Sequence, residues 1–466
     1  MKTFKLIIAL LSVTLIGNAQ YNKIVDFAGI NGQNPAGSLI SDGTFLYGMT
    51  SGGGINNSCT FGGCGVLFKI KPDGTAYSKL LDFDNTTIGS SPQGSLFFDG
   101  VFLYGMTRDG GTNNNGIVFK IKPDSTGYAQ LHNFSGSDGS RPYGSLISDS
   151  VFLYGTTSMG GANNFGTIFK IKPDGTNYSV LHNCDSASGI TPGGDLFYDG
   201  TFLYGMTGSG GANNMGVIFK IKPDGTGYTK LLDFDGTNGK KPFYNSFVFD
   251  GTFLYGMTGY GGANNMGVIF KIKGDGTGYS KLLDFSGVSN GNSPAGTLVS
   301  SGSFLYGTTC LGGVNNKGVV FKIKPDGTNY SKLLDFDGQT NGSNPFSGSL
   351  IFDSTSFYGM TSSGGTYNYG VIYNYNLVTT GIKTLSGDLQ IDIFPNPMNE
   401  VLTIRFSEPQ LNSSLKIVDV LGREVKSTII NGQELTIMRD DLVTGVYTIQ
   451  VENKSVLKLR RKIIVN

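Results

Sequence analysis

The sequence predicts an all-β protein, a closed seven-bladed β-propeller followed by a small C-terminal β-sandwich. Three observations carry this. The tyrosine of an F-L-Y-G-M-T core recurs at Tyr47, Tyr104, Tyr154, Tyr204, Tyr255, Tyr306 and Tyr358, in steps of 57, 50, 50, 51, 51 and 52 residues, a period that belongs to propellers and solenoids. Each unit divides into four short strand patterns, and no window keeps a helical period. The array is also offset at its two ends, which a ring requires and an open stack does not.

The unit around Thr201–Phe234 shows the pattern. Gly194–Asp199, GDLFYD, is the first strand, and the Asp199-Gly200 pair after it is a two-residue hairpin signal. Phe202–Thr207 is the second. Alternation puts Phe202, Tyr204 and Met206 on one face and Leu203, Gly205 and Thr207 on the other, so both faces can be buried. A Gly-Asn-rich connection, GSGGANNMG, leads to the third strand, Val217–Lys222, and a Pro-Asp-Gly turn at 223–225 leads to the fourth, Tyr228–Phe234. Lys230 and Asp233 suit that last strand to an outer edge, where charge resists pairing with another molecule.

The ends of the array settle its closure. Residues 21–27, YNKIVDF, match the fourth strand YTKLLDF but precede any first strand, while the last unit stops after its third strand, Gly370–Asn376. The strand missing from the seventh unit therefore stands at the front of the chain, and the N-terminus is expected to complete the last sheet.

Ahead of the array, Met1–Ala19 carries Lys2 and Lys5, an apolar run from Leu6 to Ile16, and small residues at Gly17 and Ala19. This reads as a secretory signal peptide over residues 1–19, too short to span a bilayer comfortably, and no other apolar stretch approaches twenty residues. The mature chain is thus expected outside the cytoplasm with no transmembrane segment. Composition agrees: 72 Gly, 32 Phe, 23 Tyr, no Trp, 15% charged residues and a net charge of +1. Glycine supplies turns and the aromatics supply core. A near-neutral chain without a basic patch argues against nucleic acid and against electrostatic membrane binding. The six Phe-Lys-Ile-Lys copies are regularly spaced and read as solvated strand faces.

Cys59 and Cys64 lie in the insertion SCTFGGC that lengthens the first step. In an exported protein they form a disulfide candidate, worth roughly 2 kcal/mol for a loop of about six residues. Cys184 stands where other units have Phe134 or Phe234 and reads as a core thiol, while Cys310 reads as a free thiol in a loop. His132 and His182 fall at one phase of neighbouring repeats, where other units carry Leu81, Leu232, Leu283 and Leu334. Duplication explains that coincidence, and no metal site is assigned to them or to Asp-x-Asp pairs such as Asp233 and Asp235. There is no G-x-S-x-G motif and no Walker loop, so neither catalytic residues nor a cofactor are assigned.

After Asn376 the repeat ends, residues 377–390 read as a linker, and residues 391–466 form a different segment of short strands. It opens on Phe394-Pro395-Asn396-Pro397, continues through Leu415–Val425 with Gly422–Val425 at its end, passes Leu442–Tyr447, and closes on a basic stretch, Lys458–Lys462. These features closely resemble the C-terminal sorting domain of the type IX secretion system, the Por secretion tail. The resemblance implies transport across an outer membrane, removal of the tail on the way, and the type IX machinery as a partner through residues 391–466. The repeats of residues 21–376 resemble GloVer-type tandem repeats of bacterial surface proteins, matched by Asp99–Thr107, Gly110-Gly111 and Gly116–Ile121. That resemblance implies a propeller-like array and export, without an established activity.

If strands run outward in order, the connections from fourth to first strand and from second to third share one face. These long loops are rich in Asn, Gly, Ser and Asp with occasional aromatics such as Phe243, Tyr244, Tyr260 and Tyr367, a composition suited to hydrogen-bonding sugars or polar protein surfaces. The expected function is a non-catalytic surface binding or adhesion protein recognising polysaccharide or protein. Its candidate ligand-binding residues are the in-phase pairs Asn113-Asn114, Asn163-Asn164, Asn213-Asn214, Asn264-Asn265 and Asn315-Asn316. A carbohydrate-active enzyme would instead need charged residues placed asymmetrically on that face. Arg108, Asp109, Arg141, Lys240 and Lys241 break the repeat there, but form no recognisable acid/base pair in sequence. A purely structural surface component is the third reading.

Overall fold

The computed structural model describes residues 21–56, 58–59, 62–242, 245–346, 348–377, 391–394, 398–419, 423–440, 442–453 and 456–465. The predicted signal peptide lies outside the described residues, as do Phe243, Tyr244, Gly422 and all but the first residue of the predicted linker. Contacts divide the chain into two units, Met1–Leu377 and Val378–Asn466. Among the described residues every regular element is a strand.

The first unit has a seven-blade propeller arrangement, six sheets of four strands and one of five, all antiparallel. In the fourth blade the strands are Phe197–Tyr198, Leu203–Met206, Val217–Ile221 and Thr229–Asp233, hydrogen-bonded in that order. The second strand is buried along its whole length, and the third except at Lys220. Each blade is sandwiched between two others, which is why both faces are apolar. Tyr204, Met206 and Ile218 of the fourth blade share one core cluster with Leu254, Val268 and Phe270 of the fifth. The glycine of the L-Y-G-M core makes room for the third-strand phenylalanine. A Cβ on Gly105 would lie 2.6 Å from the Cζ of Phe119, inside any tolerable contact distance.

The fourth blade's first strand, Phe197–Tyr198, is shorter than its apolar pattern predicts, whereas the first blade's runs over Gln33–Ser41. Around the axis the first strands touch. A Cβ on Gly144 would lie 2.7 Å from the carbonyl oxygen of Gly194 in the next blade, so only backbone fits. The residue after most such glycines supplies a side-chain acceptor to its neighbour. Ser95 N donates to Ser145 Oγ at 2.7 Å, Ser145 N to Asp195 Oδ1 at 2.6 Å, and Ser349 N to Ser38 Oγ at 2.7 Å. The last of these joins the seventh blade to the first.

The N-terminal strand, Tyr21–Asp26, pairs with Val371–Asn376 as the outer strand of the seventh blade. It repeats in detail what a fourth strand does elsewhere. Phe27 N donates to Gly370 O at 3.1 Å, as Phe234 N does to Gly216 O at 3.0 Å. Asp26 Oδ1 accepts the Thr366 amide at 3.0 Å, as Asp233 Oδ1 accepts that of Ala212 at 2.8 Å. The Lys23–Asp26 ion pair matches Lys230–Asp233.

Two sequence readings are corrected here. The first lysine of the F-K-I-K motif is not simply solvated. Lys120 Nζ donates to Pro173 O of the next blade at 2.9 Å and lies 4.8 Å from the ring centre of Phe102, and Lys170 does the same with Pro223 O at 3.1 Å and Phe152 at 4.8 Å. Cys310, expected in a loop, is buried within the strand Phe304–Leu311. Burial pushes its thiol, like that of Cys184, up to about 12. Cys59 and Cys64 are joined in a disulfide.

The histidines join blades. The His132 ring stacks on Tyr178 with centroids 3.8 Å apart, and its Nε2 is 3.0 Å from Asp138 Oδ2. His182 stacks on Tyr228 at 3.9 Å and meets Ser188 Oγ at 3.2 Å. Burial lowers both imidazoles below their ordinary value, the neighbouring aspartates opposing it.

The second unit differs from the predicted sandwich. Its strands, Ile391–Phe394, Val401–Val418, Glu424–Met438, Gly445–Asn453 and Val456–Val465, form one five-stranded sheet curled as a half-barrel. The reason is the 18-residue strand Val401–Val418. Register shifts between Arg405 and Ser413 bend it, so that its first half pairs with Ile391–Phe394 and its second with Gly445–Asn453. The concave side buries Leu402, Ile404, Leu415, Ile417, Ile449 and Ile463, and a second sheet is not needed to cover them.

Two outcomes follow. Deleting Tyr21–Phe27 removes the fully buried Phe27, worth roughly 1.5 to 3 kcal/mol, together with the pairing of the whole strand. The melting temperature of the full chain is expected to fall by roughly 5 °C or more; an unchanged melt would show that the strand contributes nothing to the ring. Because the folded protein disfavours the imidazolium, each histidine stabilises it above about pH 6.5, and that contribution is lost as pH falls below this value. Replacing His132 and His182 by Leu, as in other blades, should flatten the decline of melting temperature between about pH 6.5 and 5. Parallel profiles for parent and variant would refute it.

Candidate functional site

The face carrying the second-to-third and fourth-to-first connections holds both the repeated asparagines and a recess. In each pair the first asparagine reaches back to the fourth strand. Asn113 Nδ2 donates to Phe134 O at 3.2 Å, Asn213 Nδ2 to Phe234 O at 3.0 Å and Asn264 Nδ2 to Phe285 O at 2.9 Å. Asn163 and Asn315 make the same bond to Cys184 O and Phe336 O, each at 3.0 Å. The second asparagine is left-handed, with φ of 53° to 59° at Asn114, Asn164, Asn214, Asn265 and Asn316. Its Oδ1 accepts the amide of the glycine four residues earlier, as Asn214 does from Gly210 at 2.9 Å. Asparagine tolerates this conformation better than other side chains. All ten residues are exposed, the first of each pair tied to the end of the fourth strand and the second to its own turn.

The recess lies nearer the axis, over the seventh, first and second blades, and has a volume of about 310 Å³. Amides from Asn34, Gln93 and Asn344 and hydroxyls from Ser51, Ser362 and Ser363 line it, with Pro35 and Ala36. Arg108 and Phe346 complete the wall. The inner rim is built on a strained turn. The residue before each loop proline, from Asn34 to Asn344, has φ between 52° and 59°. The following proline disfavours the right-handed helical region there, and interblade bonds hold the alternative. Arg141 N donates to Asn115 O of the preceding blade at 2.9 Å, and Ser158 N donates to Arg141 O at 3.1 Å.

Three of the repeat-breaking residues come together here. Arg108 Nε donates to Asp109 Oδ2 at 2.7 Å, and its Nη2 pairs with the same oxygen. The Arg108 guanidinium lies 5.8 Å from the ring centre of Tyr143, and Arg141 Nε lies 4.0 Å from Asp109 Oδ1. Lys240 and Lys241 stand on the fifth blade's loop, outside the recess lining. Sequence reasoning noted these substitutions but found no acid/base pair among them. The signal available was that an arginine replaces Ser or Gly at a fixed phase of the repeat. Among the described residues no group of three or more His, Cys, Asp or Glu comes together as a metal site, and no helix is long and apolar enough to cross a membrane.

Comparison with known proteins addresses both units. Residues 9–152, 98–271 and 245–389 match the family model of the Gloeobacter/Verrucomicrobia repeat, and residues 392–466 match the secretion system C-terminal sorting domain. No curated protein sequence matches the chain. Among solved structures, an oligogalacturonate lyase from Vibrio parahaemolyticus aligns with a TM-score of 0.50 at 12% identity, over 76% of this chain and 93% of that one. The extracellular domain of a hybrid two-component system from B. thetaiotaomicron aligns with a TM-score of 0.50 at 10% identity, over 96% and 57%. PorZ, a bacterial surface component of the type-IX secretion system of Porphyromonas gingivalis, aligns with a TM-score of 0.45 at 16% identity over 95% of this chain, which spans 60% of PorZ. At such identities these likenesses speak to fold alone. The chain belongs to the Gloeobacter/Verrucomicrobia repeat family and carries a type IX secretion sorting domain behind its repeats.

Proposed function

We propose that the chain is an exported, surface-bound or released binding protein whose propeller holds a polysaccharide in the loop-face recess, without catalysing its cleavage. One observation carries the reading. The recess is walled by amides and hydroxyls with one aromatic ring, the mixture that exchanges hydrogen bonds with sugar hydroxyls and stacks on a sugar face. The paired asparagines at 113–114, 163–164, 213–214, 264–265 and 315–316 stand further out on the same face, where a long polymer would meet them as weak repeated contacts.

Export completes the picture. In this reading residues 1–19 are a signal peptide, the mature chain starts near Gln20, and residues 391–466 engage the type IX machinery and are removed after about Ile391. The ring is closed in the exported protein, its last sheet finished by the strand that starts at Tyr21, one residue after the mature terminus. Type IX export past an outer membrane leaves the propeller where polysaccharides are met.

Retention of the full chain on an immobilised polysaccharide panel tests the binding reading, with melting temperature as control. Replacing Asn34 and Gln93 together by Ala should weaken retention about tenfold, the effect of losing one or two hydrogen bonds to ligand. Replacing Asn213 and Asn214 by Ala should weaken it only about twofold, as expected when one of several weak contacts is lost. A recess variant that binds like the parent at unchanged melting temperature would rule the recess out as the seat.

A further inference from the structure

We propose that the recess selects a carboxylate-bearing sugar, a uronate unit of an acidic polysaccharide, with Arg108 as the group that recognises the carboxylate. This rests on the binding reading above and narrows its ligand.

The repeat makes Arg108 conspicuous. At the same phase the other blades carry Ser51, Ser158, Gly208, Gly259, Cys310 and Ser362, none of them charged. Arg108 is also the one charged residue among those lining the recess. Its side chain is only 19% exposed and is fixed from two sides, by Asp109 through Nε and Nη2 and by the Tyr143 ring. A guanidinium already immobilised gives up little rotamer entropy when it meets an anion. The Asp109 carboxylate does not cancel the local field. Arg141 approaches its other oxygen at 4.0 Å, so two guanidinium groups stand against one carboxylate, leaving a net charge of +1 beside the recess. Opposite charge at that distance favours an anionic ligand, and a fork of N–H donors fits a carboxylate.

The wall argues for a sugar over an acidic peptide. Asn34, Gln93 and Asn344 offer both donors and acceptors, and Ser362 and Ser363 add hydroxyls. A pyranose presents hydroxyls all around its ring and can use all of these, whereas a glutamate or aspartate side chain presents one carboxylate on an apolar stem. Phe346 supplies the flat apolar surface that a sugar face covers.

The test measures affinity of the full chain for polygalacturonate, for the same polymer with its carboxylates methyl-esterified, and for polyglutamate. Polygalacturonate should bind at least about tenfold more tightly than the ester, with the difference shrinking as salt rises. Arg108→Gln should erase that difference by weakening binding to polygalacturonate more than binding to the ester. Asp109→Asn, which removes the competing carboxylate, should strengthen binding to polygalacturonate, an effect that loss of a merely structural ion pair would not give. Equal affinity of the parent for acid and ester overturns this proposal and leaves the binding reading standing; affinity for neither overturns this proposal, and the binding reading falls with it if the full chain is also retained on none of the polysaccharide panel. Polyglutamate bound more tightly than polygalacturonate would assign the site to acidic peptide and overturn the choice of sugar. If Arg108→Gln fails to fold, Asp109→Asn decides: unchanged or weakened binding at the parent melting temperature overturns the proposal.

Discussion

The structure depends on how closely seven first strands can approach one axis. At Gly144 and its equivalents the neighbouring blade's carbonyl lies where a Cβ would be, so backbone meets backbone at the centre. At five blades the next residue, Ser38, Ser95, Ser145, Asp195 or Ser349, then hands a hydroxyl or carboxylate oxygen to its neighbour's amide. Everything outward follows from that spacing. With first strands abutting, the second and third strands of adjacent blades sit at the distance one layer of Tyr, Met, Ile and Phe side chains fills. The F-K-I-K lysines and the histidines then bridge blades further out. The fifth blade departs from the rule with Asn245, which is fully buried and donates through Nδ2 to Met257 O at 2.9 Å. One extra residue, Tyr244, precedes it.

Much of this was legible in sequence because repetition converts a weak local signal into a strong one. A two-residue strand such as Phe197–Tyr198 would escape notice alone, but its phase against Tyr204 recurs in every unit. The match of YNKIVDF to YTKLLDF named the strand that finishes the seventh sheet, and the pairing of Tyr21–Asp26 with Val371–Asn376 is as expected. What was not legible concerned contacts between blades. Nothing in F-K-I-K says that its first lysine reaches the proline carbonyl of the next unit, since sequence spacing orders residues within a strand and not across a packing interface. The stacking of His132 and His182 on Tyr178 and Tyr228 depends on the same unseen interface. In the second unit the short-strand reading failed at Val401–Val418, because a bent strand long enough to serve both halves of a curled sheet looks in sequence like two strands of a sandwich.

The site was legible in part, and the reason is again repetition. In-phase residues such as the asparagine pairs attract attention, but in-phase recurrence is also what a turn demands. The left-handed φ at Asn214 and the bond from Asn213 to Phe234 O are present whether or not a ligand exists. The informative positions in a repeat protein are the ones where the scaffold does not require a residue. The phase of Arg108 is filled elsewhere by Ser, Gly or Cys, so no backbone constraint explains an arginine there.

The strained rim connects that exception to the ring. A left-handed residue before proline costs on the order of 1 to 3 kcal/mol, and it occurs at the same place in each blade, including the β-branched Thr191 at φ 59°. Such a turn persists because its amide and carbonyl are both taken, the amide by the preceding blade and the carbonyl by its own second strand, as at Arg141. The central backbone contacts fix the distance between blades, and that distance makes these bonds possible. Arg141 is therefore held by the ring rather than by its own loop, and Arg108 begins the loop that follows the second strand, with its amide on Ser91 O of the same rim. A charged cluster carried in this way keeps its shape without a ligand, so the cost of organising the recess is met in folding and not at the moment of binding.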